Sequence, residues 1–260
     1  MRRTFERLNV AGVQLEYRTI PGDPMRPTFV LLHEGLGCVA LWRDFPDALA
    51  TATGCSVFAY SRAGYGGSDP ISLPRALNYM SIEAEDVLPR VLECAGISHY
   101  HLVGHSDGAT IALEFAANIG AAGLQSVVVF APHVFTEDCA IGAITAANES
   151  FTQGDLRKRL EKYHGWNVDC AFRGWCDSWL HPEFGNWSVE ANLSKISVPV
   201  LQVQGSNDEY GTLEQLYRIE KQAGAQVQTV IFDNCGHSPQ QDKPEDTIAV
   251  IREFCLLSDG

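Results

Sequence analysis

Short apolar runs alternate with longer stretches of helical periodicity from residue 27 onward. This alternation limits the fold more than any other feature, because it is typical of a parallel sheet with helices on both faces. It predicts an α/β fold with a mostly parallel, doubly wound sheet. The predicted strands are residues 28–32, 56–60, 100–103, 126–130, 198–204 and 227–232. The predicted helices are residues 41–50, 81–94, 108–118, 213–223 and 244–257.

The alternation is interrupted between residues 133 and 196, where the pattern indicates no strand. A chain of 260 residues is long enough for one domain with a large core, and too short for two full-sized domains with linkers. We therefore predict one core, formed by residues 1–132 and 197–260, and one insertion, formed by residues 133–196.

Tryptophan is concentrated in this insertion, which holds Trp166, Trp175, Trp179 and Trp187. Trp175 and Trp179 are four residues apart, so on a helix they share one face. Aromatic side chains on such a face either pack the insertion onto the core or line a substrate pocket. Trp175 and Trp179 are therefore candidate substrate-binding residues.

Acidic residues outnumber basic ones, with 32 Asp and Glu against 19 Lys and Arg and a formal charge of −13. This excess disfavours nucleic acid and anionic membrane surfaces as partners. The N-terminal segment lacks the apolar core of a signal peptide, and no apolar run is long enough to span a bilayer. The eight cysteines form no C-x-x-C pair, and no histidine cluster has zinc spacing. We expect reduced thiols, no metal site and a cytoplasmic location.

The segment 104–108 reads Gly-His-Ser-Asp-Gly and lies between a predicted strand and an apolar helix. A nucleophile on a sharp strand-to-helix turn needs small neighbours, because the flanking backbones pass close to it. Gly104 and Gly108 meet that need. The pattern predicts that Ser106 is an exposed nucleophile at the start of the helix.

A serine hydroxyl needs a base to remove its proton and an acid to orient that base. Asp208 follows the predicted strand 198–204, and His237 follows the predicted strand 227–232 in a glycine-flanked loop. Their order after Ser106 is the one that this type of fold requires. We therefore predict a triad of Ser106, His237 and Asp208, with Glu209 as the competing acid.

The oxyanion of the tetrahedral intermediate needs hydrogen-bond donors, normally the amide after the nucleophile and one from the loop after an early strand. The Asp107 amide is the first candidate. The second lies in the loop that follows Leu32, where the glycines allow an amide to turn inward. We choose Gly35 for this role, with Leu36 as the alternative.

These motifs resemble the α/β-hydrolase superfamily: the His-x-Gly loop at 33–35, the elbow at 104–108, Gly-x-x-Asp at 205–208, and Gly-His-Ser-Pro at 236–239. The resemblance implies that the insertion is a helical cap between the sixth and seventh strands. It also identifies the segment 61–68 as the loop after the fourth strand. More narrowly, the chain resembles the valacyclovirase (biphenyl hydrolase-like) branch, which hydrolyses α-amino acid esters.

In that branch the aspartate after the nucleophile receives the substrate ammonium, which implies a substrate-binding role for Asp107. An aspartate in the first turn of a helix is also favourable without a ligand, by about 0.3 to 1 kcal/mol. Glu34 stands where the superfamily usually has glycine, and Ser61 and Ala63 replace its usual Asp and Arg. The Glu34 carboxylate would either strengthen a preference for cations as a second substrate-binding acid or pair with Arg62.

The sequence therefore predicts a serine hydrolase that cleaves carboxylic esters, or related acyl bonds, of small molecules through an acyl-enzyme. The predicted mechanism uses no cofactor. A carbon–carbon bond hydrolase with the same triad is the alternative enzyme. A small-molecule receptor that keeps the fold but works by binding is the alternative from another class. The oligomeric state is not predicted.

Overall fold

An eight-stranded sheet forms the centre of the protein in a computed structural model, which describes residues 4–120 and 122–258. The strand order is β1-β2-β4-β3-β5-β6-β7-β8. Strand β2 is antiparallel to both of its neighbours, β1 and β4, and the other strand pairs are parallel. The strands are β1 (Glu6–Val10), β2 (Val13–Ile20), β3 (Thr28–Leu32), β4 (Val57–Tyr60), β5 (Tyr100–His105), β6 (Leu124–Phe130), β7 (Val200–Gly205) and β8 (Val227–Phe232).

The six predicted strands are confirmed as β3 to β8, and the two that precede them were missed. Strands β1 and β2 form an edge hairpin that turns at Ala11 and Gly12, which have φ values of 51° and 92°. Most of their side chains are exposed or half-buried. Such strands carry polar residues, so they lack the apolar run by which the central strands were recognised.

Helices cover both faces of the sheet. On one face α1 and α10 pack against Phe29 and Leu31, and on the other face α3 and α4 pack against Val30 and Leu32. The helices are α1 (Phe45–Thr53), α2 (Tyr79–Ile82), α3 (Leu88–Cys94), α4 (Asp107–Asn118), α5 (Asp138–Gln153), α6 (Leu156–His164), α7 (Val168–Trp179), α8 (Glu214–Gln222), α9 (Pro239–Asp242) and α10 (Pro244–Ser258).

Two predicted helices are interrupted. The prediction of one helix over 41–50 was wrong, because a 3-10 turn at Val39–Trp42 ends at Arg43, whose φ of 52° breaks the helical path before α1. The predicted helix 81–94 contains a π-helical turn at Glu83–Val87 between α2 and α3. Periodicity alone detects neither break.

The insertion between β6 and β7, which we name the cap, carries α5, α6 and α7. It packs through aromatic side chains, among them Phe151 and Phe172, whose stacked ring centroids are 3.7 Å apart. Phe172 belongs to the same buried cluster as Leu32 and α4. The cap therefore shares the core of the sheet on the face that carries α4. Across residues 4–120 and 122–258, no helix is both long and apolar enough to cross a membrane.

Candidate active site

Ser106 occupies a strained turn between β5 and α4. Its φ and ψ are 53° and −117°, a conformation that L-residues rarely adopt. A Cβ atom on Gly104 would overlap the carbonyl of Gly108, and one on Gly108 would overlap the carbonyl of Leu32. Both positions of the motif therefore require glycine because a side chain there would overlap the backbone, as the sequence predicted. Ser106 is only 7% exposed, so the prediction of an exposed nucleophile was wrong.

Asp208 and His237 lie together at the carboxyl ends of β7 and β8. The Nδ1 atom of His237 is 2.8 and 3.0 Å from the two carboxylate oxygens of Asp208. The amide of Tyr210 donates to the same carboxylate over 2.8 Å. Burial alone would raise the pKa of Asp208, but the hydrogen bond and charge interaction with His237, together with the Tyr210 amide, lower it below its ordinary value. A charged Asp208 fixes the proton of His237 on Nδ1, so Nε2 is left as the base.

The loop of His237 adjoins the elbow. His105, the residue before Ser106, donates from Nε2 to the backbone oxygen of His237 over 2.8 Å. The rings of His105 and His237 lie with their centroids 5.1 Å apart. Ser106 Oγ and His237 do not share a hydrogen bond in the described chain. In enzymes without substrate this bond is often long and tightens only when the substrate binds.

The loop that follows β3, residues 33–37, is held by buried hydrogen bonds. His33 Nδ1 donates to the oxygen of Glu34 over 2.7 Å, and its Nε2 accepts from the Arg62 amide over 3.0 Å. The Arg62 guanidinium donates to the backbone oxygens of His33 and Glu34 over 2.5 and 3.1 Å. Burial and the positive charge of Arg62 hold the pKa of His33 well below its ordinary value, so this imidazole is neutral. Gly35, the predicted oxyanion donor, lies in this fixed loop, which we name the oxyanion loop.

The Glu34 carboxylate faces His105, with 3.4 Å between Oε2 and Nδ1, and the side chain is 22% exposed. The alternative in which this carboxylate pairs with Arg62 is therefore wrong, since Arg62 binds the Glu34 backbone oxygen instead. Burial opposes ionisation of Glu34, but its hydrogen bond and charge interaction with His105, a backbone hydrogen bond and the charge of Arg62 together lower its pKa.

Asp107 is completely buried, and both of its carboxylate oxygens are occupied. Tyr79 Oη donates to Oδ2, and Trp179 Nε1 donates to Oδ1 over 3.3 Å. Burial raises the pKa of Asp107, against the opposing charge of Arg62 and these two bonds. The carboxylate thus faces the cap helix α7, and no part of it reaches solvent in this structure.

Trp175 and Trp179 lie on α7, as predicted, and both are buried. The indole of Trp175 abuts Gly35 in the oxyanion loop. The ring of Trp179 packs against Phe184 and Trp187, with centroid distances of 4.8 and 5.7 Å. These contacts agree with the interpretation that the tryptophans pack the cap onto the core. They also place two indoles beside the predicted oxyanion loop and elbow.

His133 is a site residue that the sequence analysis missed. Its ring centroid lies 5.7 Å from that of His237 and 5.3 Å from that of Trp179. Burial, with the nearby His237, lowers the pKa of His133 to about 3, so the ring is neutral. His133 follows the carboxyl end of β6, and this position is the signal that identified Asp208 and His237. His133 is also the first residue of the predicted insertion, which hid this signal.

Residues 29–250 match the family model described as the alpha/beta hydrolase family. The chain belongs to the alpha/beta hydrolase family. This result confirms the resemblance to the superfamily, and the strand order of the sheet agrees with it. The narrower resemblance to the valacyclovirase branch stays a prediction.

Relatives of this hydrolase have several activities. It is 22% identical over 287 residues to a proline iminopeptidase of Lactobacillus acidophilus, covering 95% of this chain and 96% of that protein. It is 26% identical over 291 residues to epoxide hydrolase 3 of Xenopus tropicalis, covering 96% and 77%. The structure of 2-hydroxy-6-oxo-6-phenylhexa-2,4-dienoate hydrolase from Rhodococcus sp. strain RHA1 superposes with a TM-score of 0.77 at 19% identity, covering 96% and 97%. The family therefore establishes a hydrolase but no substrate.

Proposed function

We propose that this protein is a serine hydrolase that cleaves carboxylic esters, or related acyl bonds, of small molecules through an acyl-enzyme. The observation that supports it most is the partly buried Asp208–His237 pair, whose loop adjoins the strained turn of Ser106 through His105. Strain at a buried turn persists only where the surrounding structure imposes it, and such turns occur mainly at functional sites.

Acylation begins when Ser106 Oγ attacks the carbonyl carbon of the substrate and His237 Nε2 takes the hydroxyl proton. Asp208 stabilises the imidazolium that forms, because its carboxylate stays charged at Nδ1. The amides of Asp107 and Gly35 are the donors that we assign to the oxyanion. His237 then returns the proton to the leaving group, and a water molecule repeats the sequence to release the acid.

Amino acid derivatives are the substrates that we favour within this class. The net charge of −13 attracts cations, and relatives over the full length include proline iminopeptidases. Glu34 is the better candidate for a cation, because its carboxylate is partly exposed whereas Asp107 is buried and doubly bonded. An ammonium beside this carboxylate would be paired in a site from which water is largely excluded.

A substrate panel tests this function. The purified protein is offered neutral, acidic and amino acid p-nitrophenyl esters, a prolyl p-nitroanilide and a vinylogous diketone, with Ser106→Ala as the matched control. We expect multiple turnover of esters, fastest with amino acid esters, and none with the control. Turnover of the diketone alone would replace the ester proposal with carbon–carbon hydrolysis. Binding without turnover of any compound would favour the receptor.

A further inference from the structure

His105 is a buried imidazole whose two nitrogens are both engaged, and the mechanism above does not use it. It is 1% exposed. Its Nε2 carries a proton, because the 2.8 Å partner is the backbone oxygen of His237, which can only accept. Its Nδ1 lies 3.0 Å from the Gln240 side-chain nitrogen and 3.4 Å from Glu34 Oε2.

The contacts of His105 join segments that are far apart in the chain. His105 is the last residue of β5 and precedes Ser106, Glu34 belongs to the oxyanion loop, and Gln240 lies on α9. His237 belongs to the loop 233–238 that follows β8, which we name the base loop. The His105 side chain therefore contacts the base loop on one side of the predicted reaction centre and the oxyanion loop on the other.

The hydrogen-bonding groups of His105 fit these contacts. Nε2 donates to the backbone oxygen of His237, and Nδ1 accepts from the Gln240 amide. The Glu34 carboxylate lies on the Nδ1 side of the ring, with 3.4 Å between Oε2 and Nδ1. His105 thus links the base loop to α9 and contacts the oxyanion loop.

Two hydrogen bonds hold His237, and the rings of His105, His133 and Tyr210 lie beside its ring. Asp208 holds Nδ1 of the ring, and His105 holds the backbone oxygen of the same residue. Loss of the backbone bond would let the base loop shift, which moves Nε2 relative to Ser106. Displacement of a reacting group by about 1 Å can reduce a rate about 100-fold. The backbone attachment therefore matters for proton transfer even though His105 does not touch the reacting atoms.

Glu34 contacts His105 from the oxyanion loop. Its carboxylate lies against His105 and its backbone oxygen accepts from Arg62, so the residue is fixed at both ends. Gly37 has no side chain, and any Cβ there would overlap the Glu34 carboxylate. The loop is thus shaped around an acidic side chain at this position.

We propose that His105 and Glu34 are positioning residues that hold the base loop and the oxyanion loop in place around Ser106. This proposal rests on the serine hydrolase function above. It gives His105 a role beside the reaction centre without a part in the chemistry. It also gives Glu34 a role with neutral substrates, which lack the ammonium considered above.

Kinetics of His105→Gln and Glu34→Gln on a neutral p-nitrophenyl ester test the proposal, with His101→Gln as the matched control. His101 lies on the same strand and is also 1% exposed, but its Nδ1 is 2.8 Å from Ser126 Oγ and its ring stacks on Phe29. We expect His105→Gln to lower kcat about 10- to 100-fold with KM changed less than about 3-fold. Glu34→Gln should lower kcat less, and the double variant should be no slower than His105→Gln, since both act through one contact.

A spectroscopic measurement separates positioning from turnover. We expect the proton between His237 Nδ1 and Asp208 to give a far-downfield proton NMR resonance in the substrate-free protein. We expect it to shift or broaden in His105→Gln and to be unchanged in His101→Gln. Unchanged kcat and resonance in His105→Gln would overturn the proposal. So would equal losses in His105→Gln and His101→Gln, which would indicate a general effect of replacing a buried imidazole.

The two proposals fail in different ways. If the wild-type chain turns over no ester, the proposed function fails, while the resonance still decides whether His105 positions His237. If the wild-type chain turns over esters and His105→Gln matches it in both measurements, the hydrolase function stands and only the positioning role is wrong. Glu34→Gln keeps the inference testable even if His105→Gln does not fold, because the Glu34 side chain is partly exposed.

Discussion

The indole nitrogen of Trp175 occupies the space that a side chain on Gly35 would need. Trp175 belongs to the cap helix α7, and Gly35 lies in the oxyanion loop of the core. Gly35 is not among the described glycines with a positive φ, so its backbone would accept an alanine and only space excludes one. The cap and the predicted oxyanion donor are therefore in direct contact.

Gly35→Ala is predicted to impair the reaction through this contact. The added methyl group must displace either Trp175 or the loop, and loss of one oxyanion donor costs about 100- to 1,000-fold in kcat. Trp175→Ala removes the obstacle, so the double variant should recover most of the loss. Steady-state kcat/KM for the four variants of this cycle measures the recovery.

Gly108→Ala provides the control for that cycle. A methyl group there meets the backbone of Leu32 and not the cap. Trp175→Ala should therefore leave the Gly108→Ala defect unchanged. Equal recovery of both glycine variants would contradict the assigned contact, because it would mean that loosening the cap compensates for any defect near the elbow.

Strain at Ser106 predicts opposite effects on stability and activity. Removal of the nucleophile by Ser106→Ala or Ser106→Gly should reduce kcat by at least about 1,000-fold. Glycine tolerates the φ of 53° at this position, whereas alanine keeps the strain of about 1 to 3 kcal/mol. After the entropic cost of glycine, about 0.5 to 1 kcal/mol, Ser106→Gly should be the more stable variant by about 1 kcal/mol. Urea unfolding of both variants checks this, and equal midpoints would contradict the strain.

The pH dependence of turnover tests the base. A proton on His237 Nε2 blocks acceptance of the Ser106 proton, so activity should fall in acid. Asp208 keeps its charge over that range, because the bond from His237 lowers its pKa. The fall in activity with decreasing pH should therefore fit the uptake of a single proton. A flat kcat/KM profile between about pH 5 and pH 8 would argue against a histidine base.

How much of the site follows from the sequence depends on how local each signal is. The triad positions were predicted because glycine-rich turns follow apolar strands, and both features are visible within a few residues. The partners of Asp107 were not predictable, since Tyr79 and Trp179 reach it from α2 and from the cap. Their approach depends on how helices pack, which a single sequence does not specify.

The same limit applies to the charged residues near the elbow. Sequence spacing left Glu34 free to pair with Arg62, because both lie in loops that follow adjacent strands. The structure instead directs the guanidinium to backbone oxygens and the carboxylate to His105. The direction in which the Arg62 and Glu34 side chains point, and not the closeness of their loops, therefore determines their partners. The edge hairpin was missed for a simpler reason, since half-exposed strands need no apolar run.

The burial of Asp107 predicts how its substitution affects different substrates. Asp107→Asn keeps the size of the side chain and can still accept from Trp179. It should lower kcat/KM for neutral esters and amino acid esters by factors that agree within about 3-fold, because the carboxylate faces the cap and not the substrate. A loss confined to amino acid esters would instead support the ammonium role. Trp179→Phe, which removes the indole donor, should resemble Asp107→Asn in this comparison.

Glu114 on α4 predicts a pH-dependent stability unrelated to the reaction. Burial raises its pKa from 4.5 to about 7, while the hydroxyl of Ser81, 3.0 and 3.1 Å from its two oxygens, opposes the rise. Between these values the folded chain binds more protons than the unfolded chain, so this carboxyl makes folding less favourable as the pH rises.

Glu114→Gln mimics the protonated acid and should therefore stabilise the protein at pH 8, by about 3 kcal/mol at most, since one pKa unit corresponds to about 1.4 kcal/mol. At pH 4.5 and below the two proteins should unfold at the same urea concentration. The control is Glu149→Gln, which replaces an exposed glutamate on α5. Its effect on stability should be the same at both pH values. A Glu114→Gln gain that persists unchanged in acid would arise from packing and not from the titration of this carboxyl.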